Sequence, residues 1–242
     1  MKLFPKNGVD FSSSIRYTVS KKCFKEERTM KTFKPLAYGS EPYKLFLNQA
    51  NKLEPQIVLS EFEAIMQYTS WGYQHYYGFL ENVNVDGTTF GSQYDEDTQT
   101  KLINALTKGV NLIDSVIAKN GFTDVPVNVF RAEKAFNVDN LEMFLKETYS
   151  VDETVTFKRF LSTSMNPQIA SELINDDETY MLVISASEGA YLGGSISEQG
   201  LREKEVLLPR NRSYKVTSVG KSVVKNGSSS KEVPTVFLTL LP

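Results

Sequence analysis

Hydrophobic and polar positions divide the chain into a helical N-terminal part and a strand-rich C-terminal part. Between residues 42 and 120, apolar side chains recur at spacings of three and four, which predicts amphipathic helices. One helix is expected over residues 95–119, with Asn120-Gly121 as its end. An earlier helix is expected to begin at Ser60, since Ser60 can cap it and Glu63 can complete a capping box.

The pattern changes to strands after Gly121. Runs of β-branched and aromatic residues predict strands at residues 125–130, 155–161, 180–186, 206–208, 214–219 and 233–241. Short helices are expected at 138–147 and 167–174, the second capped by Asn166. Lys225-Asn226-Gly227-Ser228 is a turn signal, so the last two strands are expected to form a hairpin with a long tip. Helices followed by strands are typical of the α+β class.

Residues 1–41 differ from the rest of the chain. Lysine and arginine are dense from Arg16 to Lys34, with proline and glycine between them. This composition predicts an arm or lead-in with one strand near residues 15–19, and a basic run of this kind favours a solvated surface. The expected organisation is therefore a lead-in over residues 1–41 and one domain over residues 42–242.

Composition and charge exclude several function classes. The 242 residues, 40% of them hydrophobic, suffice for one large domain. The net charge of -2 lacks the basic footprint of a duplex-binding protein, so nucleic acid is not an expected partner. The single cysteine, Cys23, and the single histidine, His75, cannot build a disulfide framework or a His/Cys zinc site, so no metal is expected. No apolar run approaches the ~20 residues of a membrane span, and no signal peptide is visible, so a soluble chain without membrane contact is expected.

Three short motifs whose side chains could take part in a reaction follow one another in the strand-rich half. Each is a weak signal alone, because arginines after strands, serine runs and paired glutamates are usually surface or turn features. Their fixed order is the more specific signal. They are Arg131 after the strand at residues 127–130, Ser162-Thr163-Ser164 after Phe160-Leu161, and Glu203-Lys204-Glu205 before the strand at residues 206–208.

Strand geometry predicts a common direction for the paired residues. Residues two apart in a strand point to the same side, so Glu203 and Glu205 are predicted to face one cavity while Lys204 points away. Ser162 and Ser164 are likewise predicted to share a face. Neighbouring carboxylates repel each other, which raises the pKa of one of them. Such a pair suits a reaction with a cationic transition state.

These motifs resemble the signature of an enzyme family. Aromatic-Arg, Phe-x-Ser-Thr-Ser and Glu-x-Glu before an apolar strand are similar to the Arg-Ser-Glu class of mono-ADP-ribosyltransferases, which includes actin-modifying binary toxins and enzymes of T-even phages. The stretch with Glu63, Tyr68 and Tyr73 resembles the helix that opens these catalytic domains, and the likeness runs from about residue 59 to the C-terminus. It implies an α+β fold in which a helical N-terminal half packs on a β-sandwich core, with NAD as the substrate.

The resemblance implies roles in the handling of NAD. Arg131 is expected to grip a phosphate, which suits a guanidinium because it forms bidentate, charge-assisted hydrogen bonds. Ser162 is expected to orient Glu205, and Glu205 to bind the nicotinamide ribose and stabilise the oxocarbenium ion as nicotinamide leaves. The other expected contributors to the NAD site are Thr163, Ser164, Tyr68 and Tyr73, and the two tyrosines fit the aromatic core of an amphipathic helix equally well.

Glu203 bears on the acceptor. Family members with glutamate at this position modify arginine, and a carboxylate can orient a guanidinium and accept its proton. The preceding loop, residues 193–201, is expected to contact the acceptor. The sequence departs from the family pattern in three places: residues 165–177 contain no aromatic to stack on nicotinamide, no aromatic stands near Gly200, and Ala132 replaces the glycine that often follows the arginine.

The leading hypothesis is an arginine-specific transferase acting on a protein in the cytoplasm of a host cell. A toxin would modify actin, whereas a phage enzyme would modify RNA polymerase or a translation factor. An NAD glycohydrolase, or transfer to another side chain or to nucleic acid, stays open, as does a non-catalytic toxin docking module on the same fold. Phage injection, a route without a classical signal peptide, and synthesis in the host cytoplasm are the expected ways of reaching the target.

Overall fold

The protein was analysed as a computed structural model, which describes residues 30–83, 88–135, 138–193, 196–197, 200–226 and 228–242. The strand expected near residues 15–19 lies outside the described residues. The helices are α1 (Glu41–Leu53), α2 (Leu59–Gln67), α3 (Tyr73–Glu81), α4 (Glu96–Asn120), α5 (Leu141–Thr148), α6 (Pro167–Glu172) and α7 (Gly200–Glu203). A 3-10 turn (Glu54–Gln56) follows α1, and a π-helical turn (Tyr68–Gly72) joins α2 to α3.

The expected strands appear in order along the chain, but one of them is divided, and the strands at Lys31–Phe33 and Ala190–Leu192 were not expected. The strands are β1 (Lys31–Phe33), β2 (Phe122–Lys134), β3 (Thr154–Phe157), β4 (Leu161–Ser164), β5 (Thr179–Glu188), β6 (Ala190–Leu192), β7 (Glu205–Leu208), β8 (Arg212–Asn226) and β9 (Ser229–Leu240). The single strand expected at residues 155–161 is wrong, because the run splits into β3, which pairs with β8, and β4, which pairs with β2 and β7. A periodicity of two cannot reveal that neighbouring segments pair with different partners.

Within the described residues, the strands form one connected nine-stranded sheet in the order β1-β8-β9-β5-β2-β4-β7-β6, with β3 added beside β8. The α+β class is thereby confirmed. β2 and β4 are joined by a single residue pair, Phe130 with Ser164. On one side of this narrow junction lies the larger arm, formed by β1, β3, β8, β9, β5 and β2, and on the other side lies the smaller arm, formed by β4, β7 and β6. The β8–β9 hairpin has a short tip, since Asn226 pairs with Ser229, so the expected long tip is wrong.

Buried apolar side chains fill the space between the two arms and cover their outer faces. One cluster combines Leu182 and Val236 of the larger arm with Leu161 and Val206 of the smaller arm, in the manner of a sandwich. A second cluster packs α2, α3 and α4 on the other face of the smaller arm, where Leu207 is fully buried. The helical N-terminal region therefore holds the smaller arm, which carries the serine and glutamate motifs, between itself and the larger arm.

The ends of the helices show which of the predicted caps are correct. Asp95 caps α4 by accepting a hydrogen bond from the Thr98 amide at 2.8 Å, and Gly121 ends it with a φ of 66°. The cap expected at Ser60, with Glu63 in a capping box, is wrong, because Val58 is the N-cap residue of α2 and its amide donates to the Glu61 carboxylate at 3.0 Å. Among the described helices, none is both long and apolar enough to cross a membrane.

Candidate active site

The predicted motif residues meet at one cavity of about 340 Å³ between the helical region and the sheet. Its wall contains Tyr68, Tyr73, Arg131, Ser162, Glu203 and Glu205 from the predicted set. A larger cavity of about 780 Å³ lies between α5 and the β8–β9 hairpin, and it contains none of the motif residues. The concentration of predicted chemistry, rather than size, identifies the smaller cavity as the candidate site.

Glu205 is the first residue of β7 and is almost completely buried, with 3% of its surface exposed. Its two carboxylate oxygens accept hydrogen bonds from two serines. The Ser162 hydroxyl donates to Oε1 at 2.6 Å, and the Ser197 hydroxyl donates to Oε2 at 3.1 Å. Burial raises the pKa of Glu205, the serines and Arg131 act to lower it, and the charge of Glu203 adds to the rise. The result is a carboxyl group with a raised pKa and a fixed orientation.

Glu203 reaches the same cavity by a route that the sequence pattern did not predict. It ends α7 rather than lying in the strand, and Lys204 turns the chain between them with a φ of 53°. The prediction that Glu203 and Glu205 lie in the same strand was therefore wrong, although both carboxylates line one cavity as expected. Lys204 points away, with its ammonium 5.4 Å from the centre of the Tyr43 ring. Burial raises the pKa of Glu203 above its ordinary value.

Arg131 lies on β2 with part of its guanidinium engaged by protein groups. Nη1 donates to the Ser162 carbonyl at 2.8 Å, and Nε donates to Glu133 Oε1 at 2.5 Å. A guanidinium has more N–H donors than these hydrogen bonds use. Since the side chain is 24% exposed and faces the cavity, donors remain for an anionic ligand.

The serine motif divides into a residue at the cavity and two residues behind it. Thr163 donates to the Val206 carbonyl at 2.6 Å, and the Ser164 hydroxyl donates to the Glu203 carbonyl while accepting from the Asn166 amide. Both side chains are buried and neither lines the cavity. Thr163 and Ser164 hold the junction of α7 and β7 in place. They were predicted to contribute to the NAD site, but the structure does not place their side chains on the cavity wall.

The two tyrosines expected at the NAD site have different surroundings. Tyr68 is buried, its hydroxyl lies 3.5 Å from the Phe160 carbonyl, and its ring packs edge-on against Tyr76. Burial raises its pKa. Tyr73 is 52% exposed at the mouth of the cavity. Tyr68 is thus a core residue with one edge in the site, whereas Tyr73 is available to a ligand.

Three side chains at the site were missed from the sequence: Ser197, Glu133 and Arg159. Glu133 follows Arg131 by two positions on β2, so the rule that alternate strand residues share a face could have identified it. Arg159 lines the cavity and donates to Glu133 Oε1 at 2.8 Å. Ser197 lies in the loop expected to face the acceptor, and no local sequence signal identifies it.

Residues 165–177, which contain no aromatic side chain, contribute Leu173 to the cavity wall. This leucine follows α6, lines the cavity and is 62% exposed. The aromatic rings that line the cavity are Tyr73, Tyr76 and Tyr77 of α3, Tyr68 after α2, and Phe160 just before β4. Among the residues that the structure describes, no group of three or more His, Cys, Asp or Glu is arranged to hold a metal ion.

Comparison with known proteins gives the class of the protein. A sequence profile described as "ADP-ribosyltransferase exoenzyme" matches residues 38–238, and the chain belongs to this family. NAD is the substrate of these enzymes and supplies the ADP-ribose. No curated protein matches the sequence significantly.

Solved structures share the fold at low sequence identity. Plx2a, an ADP-ribosyltransferase toxin from Paenibacillus larvae, is 18% identical over 82% of this chain and 94% of its own, with a TM-score of 0.57. The C3 exoenzyme of Clostridium limosum is 17% identical over 87% of this chain and 98% of its own, with a TM-score of 0.60. The ADP-ribosyltransferase Vis of Vibrio splendidus, in complex with agmatine, is 14% identical over 86% of this chain and 88% of its own, with a TM-score of 0.54. The likeness to these proteins concerns the fold.

Proposed function

We propose that this protein is a mono-ADP-ribosyltransferase that transfers ADP-ribose from NAD to an arginine side chain of a host-cell protein, with release of nicotinamide. The observation that carries the proposal is the placement of two carboxylates, Glu203 and Glu205, on one cavity that also contains Arg131. One carboxylate serves the NAD side of the reaction and the other serves the acceptor.

Glu205 serves the bond that breaks. The bond between the ribose C1′ and nicotinamide is cleaved, the electron pair leaves with nicotinamide, and positive charge develops on the ribose. A buried carboxylate held by Ser162 and Ser197 places fixed negative charge beside that cation without reorganisation. Glycosidases oppose the same type of cation with carboxylates.

Glu203 serves the bond that forms. A guanidine nitrogen of the acceptor bonds to C1′ and loses a proton, but arginine stays protonated because its pKa lies above about 12. A neighbouring carboxylate can orient the guanidinium and accept that proton. Burial raises the pKa of Glu203, which makes it a stronger base. The complex of Vis with agmatine, a guanidinium compound, concerns a protein of the same fold and supports this choice of acceptor.

Arg131 serves the diphosphate of NAD. Its exposed donors face the cavity while Ser162 and Glu133 hold the rest of the guanidinium. A planar guanidinium binds phosphate oxygens with two parallel charge-assisted hydrogen bonds. Tyr73 and Leu173, both exposed at the mouth of the cavity, offer apolar surface to the rings of the dinucleotide.

The target of the proposed enzyme is a protein in the cytoplasm of a host cell. An acceptor as large as a protein must approach from the open side of the cavity. The loop before α7 is attached to Glu205 by the hydrogen bond from Ser197. The experiment is incubation of the protein and labelled NAD with bacterial and eukaryotic extracts, followed by identification of the labelled band and the modified side chain. Labelling of arginine supports the proposal, and labelling of another residue overturns the choice of acceptor.

The Glu203→Gln variant separates the two halves of the proposal. It should abolish transfer to arginine and keep most of the nicotinamide release from NAD, because glutamine cannot accept the proton. Equal loss of both activities would contradict the role of Glu203. Nicotinamide release without any labelled protein in either extract would favour an NAD glycohydrolase.

A further inference from the structure

A chain of alternating charges runs along one side of the cavity from Arg131 to α3. Glu133 Oε1 accepts from Arg131 Nε at 2.5 Å and from Arg159 Nη2 at 2.8 Å, and Arg159 Nη1 donates to Glu81 Oε1 at 3.1 Å. We call Arg131, Glu133, Arg159 and Glu81 the charge chain. Because Glu81 ends α3 and Arg131 lies on β2, the charge chain connects the helical wall of the site to the sheet.

Arg159 is held on several sides. Its guanidinium lies 5.0 Å from the centre of the Tyr77 ring and 5.3 Å from that of Phe157, distances at which a cation is attracted to an aromatic face. Its side chain and that of Glu133 are each 13% exposed. Buried ion pairs add little net stability compared with apolar side chains of the same size. The charge chain is therefore better explained by its effect on the site than by stability.

That effect falls on Arg131. Glu133 shares one carboxylate oxygen between Arg131 and Arg159, and Arg159 is paired in turn with Glu81, so the four charges balance and the effect on Arg131 is one of orientation. Although burial acts to raise it, the neighbouring Arg131 and Arg159 hold the pKa of Glu133 below its ordinary value. The acceptors at Nε and Nη1 fix the plane of the Arg131 guanidinium before a ligand arrives. A group that is already oriented loses less freedom on binding.

We propose that Glu133 and Arg159 are positioning residues for NAD, which act by orienting Arg131 toward the diphosphate. The inference rests on the proposed function at one point, the contact of Arg131 with the diphosphate. Tyr77 and Glu81 complete the arrangement from α3, so the helical wall and the phosphate-binding group are set relative to each other by one guanidinium, that of Arg159.

The test is Glu133→Gln in the full chain, measured by nicotinamide release. The KM for NAD should rise roughly tenfold while kcat changes much less, because a charge-assisted hydrogen bond that orients Arg131 is lost. In an Arg131→Ala background, Glu133→Gln should have no further effect on the KM, because the residues act as one unit. Glu232→Gln is the matched control, since Glu232 pairs with Lys221 on the surface away from the site. Additive effects of Glu133→Gln and Arg131→Ala, or an unchanged KM, overturn the proposal.

A second variant covers the case in which Glu133→Gln does not fold. Glu81→Gln removes the outer end of the charge chain and should raise the KM by a smaller factor, and an unchanged KM there overturns the proposal.

Calorimetric titration of NAD distinguishes this inference from the proposed function. A protein that binds NAD but releases no nicotinamide would sink the proposed function. The charge chain would still be supported if the Kd for NAD rose in Glu133→Gln and refuted if it did not.

Discussion

The hydroxyl of Ser197 donates a hydrogen bond of 3.1 Å to Glu205 Oε2, on the opposite side of the carboxylate from Ser162. This contact links the loop that precedes α7 to the group proposed to stabilise the cation. A hydrogen bond to the ionised carboxylate lowers the pKa of Glu205, whereas burial raises it. Ser197 therefore helps to keep Glu205 ionised.

Ser197→Ala should raise the pKa of Glu205 further. Glu205 must be ionised to act, so activity is present above its pKa and lost as the pH falls through it. The acid limb of the pH profile of kcat/KM for NAD should therefore move to higher pH, with a loss of roughly tenfold at pH values below the new limb. Ser213→Ala is the control, since Ser213 bonds only to Thr156 on the exposed surface among the contacts described for its hydroxyl. An acid limb that stays in place would refute the role of Ser197.

Glu205→Gln and Ser162→Ala should lower the rate by different amounts. Loss of the Glu205 charge removes the electrostatic stabilisation of the cation and should lower kcat for nicotinamide release by about 10²–10³. Loss of the Ser162 hydroxyl leaves the charge in place but releases Oε1, and should lower kcat by about tenfold. The KM for NAD should change little in either variant. A larger loss in Ser162→Ala than in Glu205→Gln would contradict the assigned roles.

Glu61 should make folding sensitive to acid. It is 3% exposed and accepts from the Val58 amide at 3.0 Å, from the Ser115 hydroxyl at 2.8 Å and from Lys119. Although burial acts to raise it, these partners lower the pKa of Glu61. A folded pKa below the unfolded value gives stability that is present above about pH 4.3 and lost as the pH falls through the folded pKa.

Glu61→Gln should lower the free energy of unfolding by about 1–3 kcal/mol at pH 7, since one partner of a largely buried pair loses its charge. The loss should shrink as the pH is lowered, because the wild-type carboxylate is then protonated as well. Denaturant unfolding at several pH values measures both. Glu54→Gln, at an exposed position in the turn after α1, is the control. A loss that stays constant down to acid pH would refute the assignment.

Periodicity predicted the helical half well and the strands in outline, whereas the capping signals were correct at α4 and wrong at α2. Asp95 and Gly121 bound α4 as expected, but the N-cap residue of α2 is Val58 and not Ser60. The division between β3 and β4 was not predictable, since it depends on pairing with β8 and β7 far along the chain.

The motif residues were predicted, but their geometry was predicted only in part. Glu203 and Glu205 share a cavity, yet the sequence pattern attributed this to a strand, whereas the backbone at Lys204 is responsible. A left-handed backbone at a lysine leaves no mark in hydrophobic periodicity. Arg159 and Ser197 were missed because they reach the site through tertiary contacts, at Glu133 and Glu205.

Lys204 holds a conformation that its residue type disfavours. Its φ is 53°. In the described part of the chain, the other non-glycine residues with a positive φ are Asn82, Asp152 and Asn211, and asparagine and aspartate tolerate this region well. Left-handed backbone costs an ordinary residue about 1–2 kcal/mol. The cost is met here by the Met165 amide, which donates to the Lys204 carbonyl at 3.0 Å, and by Ser164 on the Glu203 carbonyl.

Lys204→Val should break this turn, because β-branched residues are outliers at positive φ. The free energy of unfolding should fall by about 1–2 kcal/mol, and transfer to arginine should fall more than nicotinamide release, because Glu203 moves while Ser162 still holds Glu205. Lys204→Gly should keep both activities and lie within about 1 kcal/mol of the wild type, since glycine adopts the conformation without strain. Lys215→Val, on the exposed side of β8, is the matched control for loss of a lysine charge. Equal activity of the valine and glycine variants would show that the turn at Lys204 does not position Glu203.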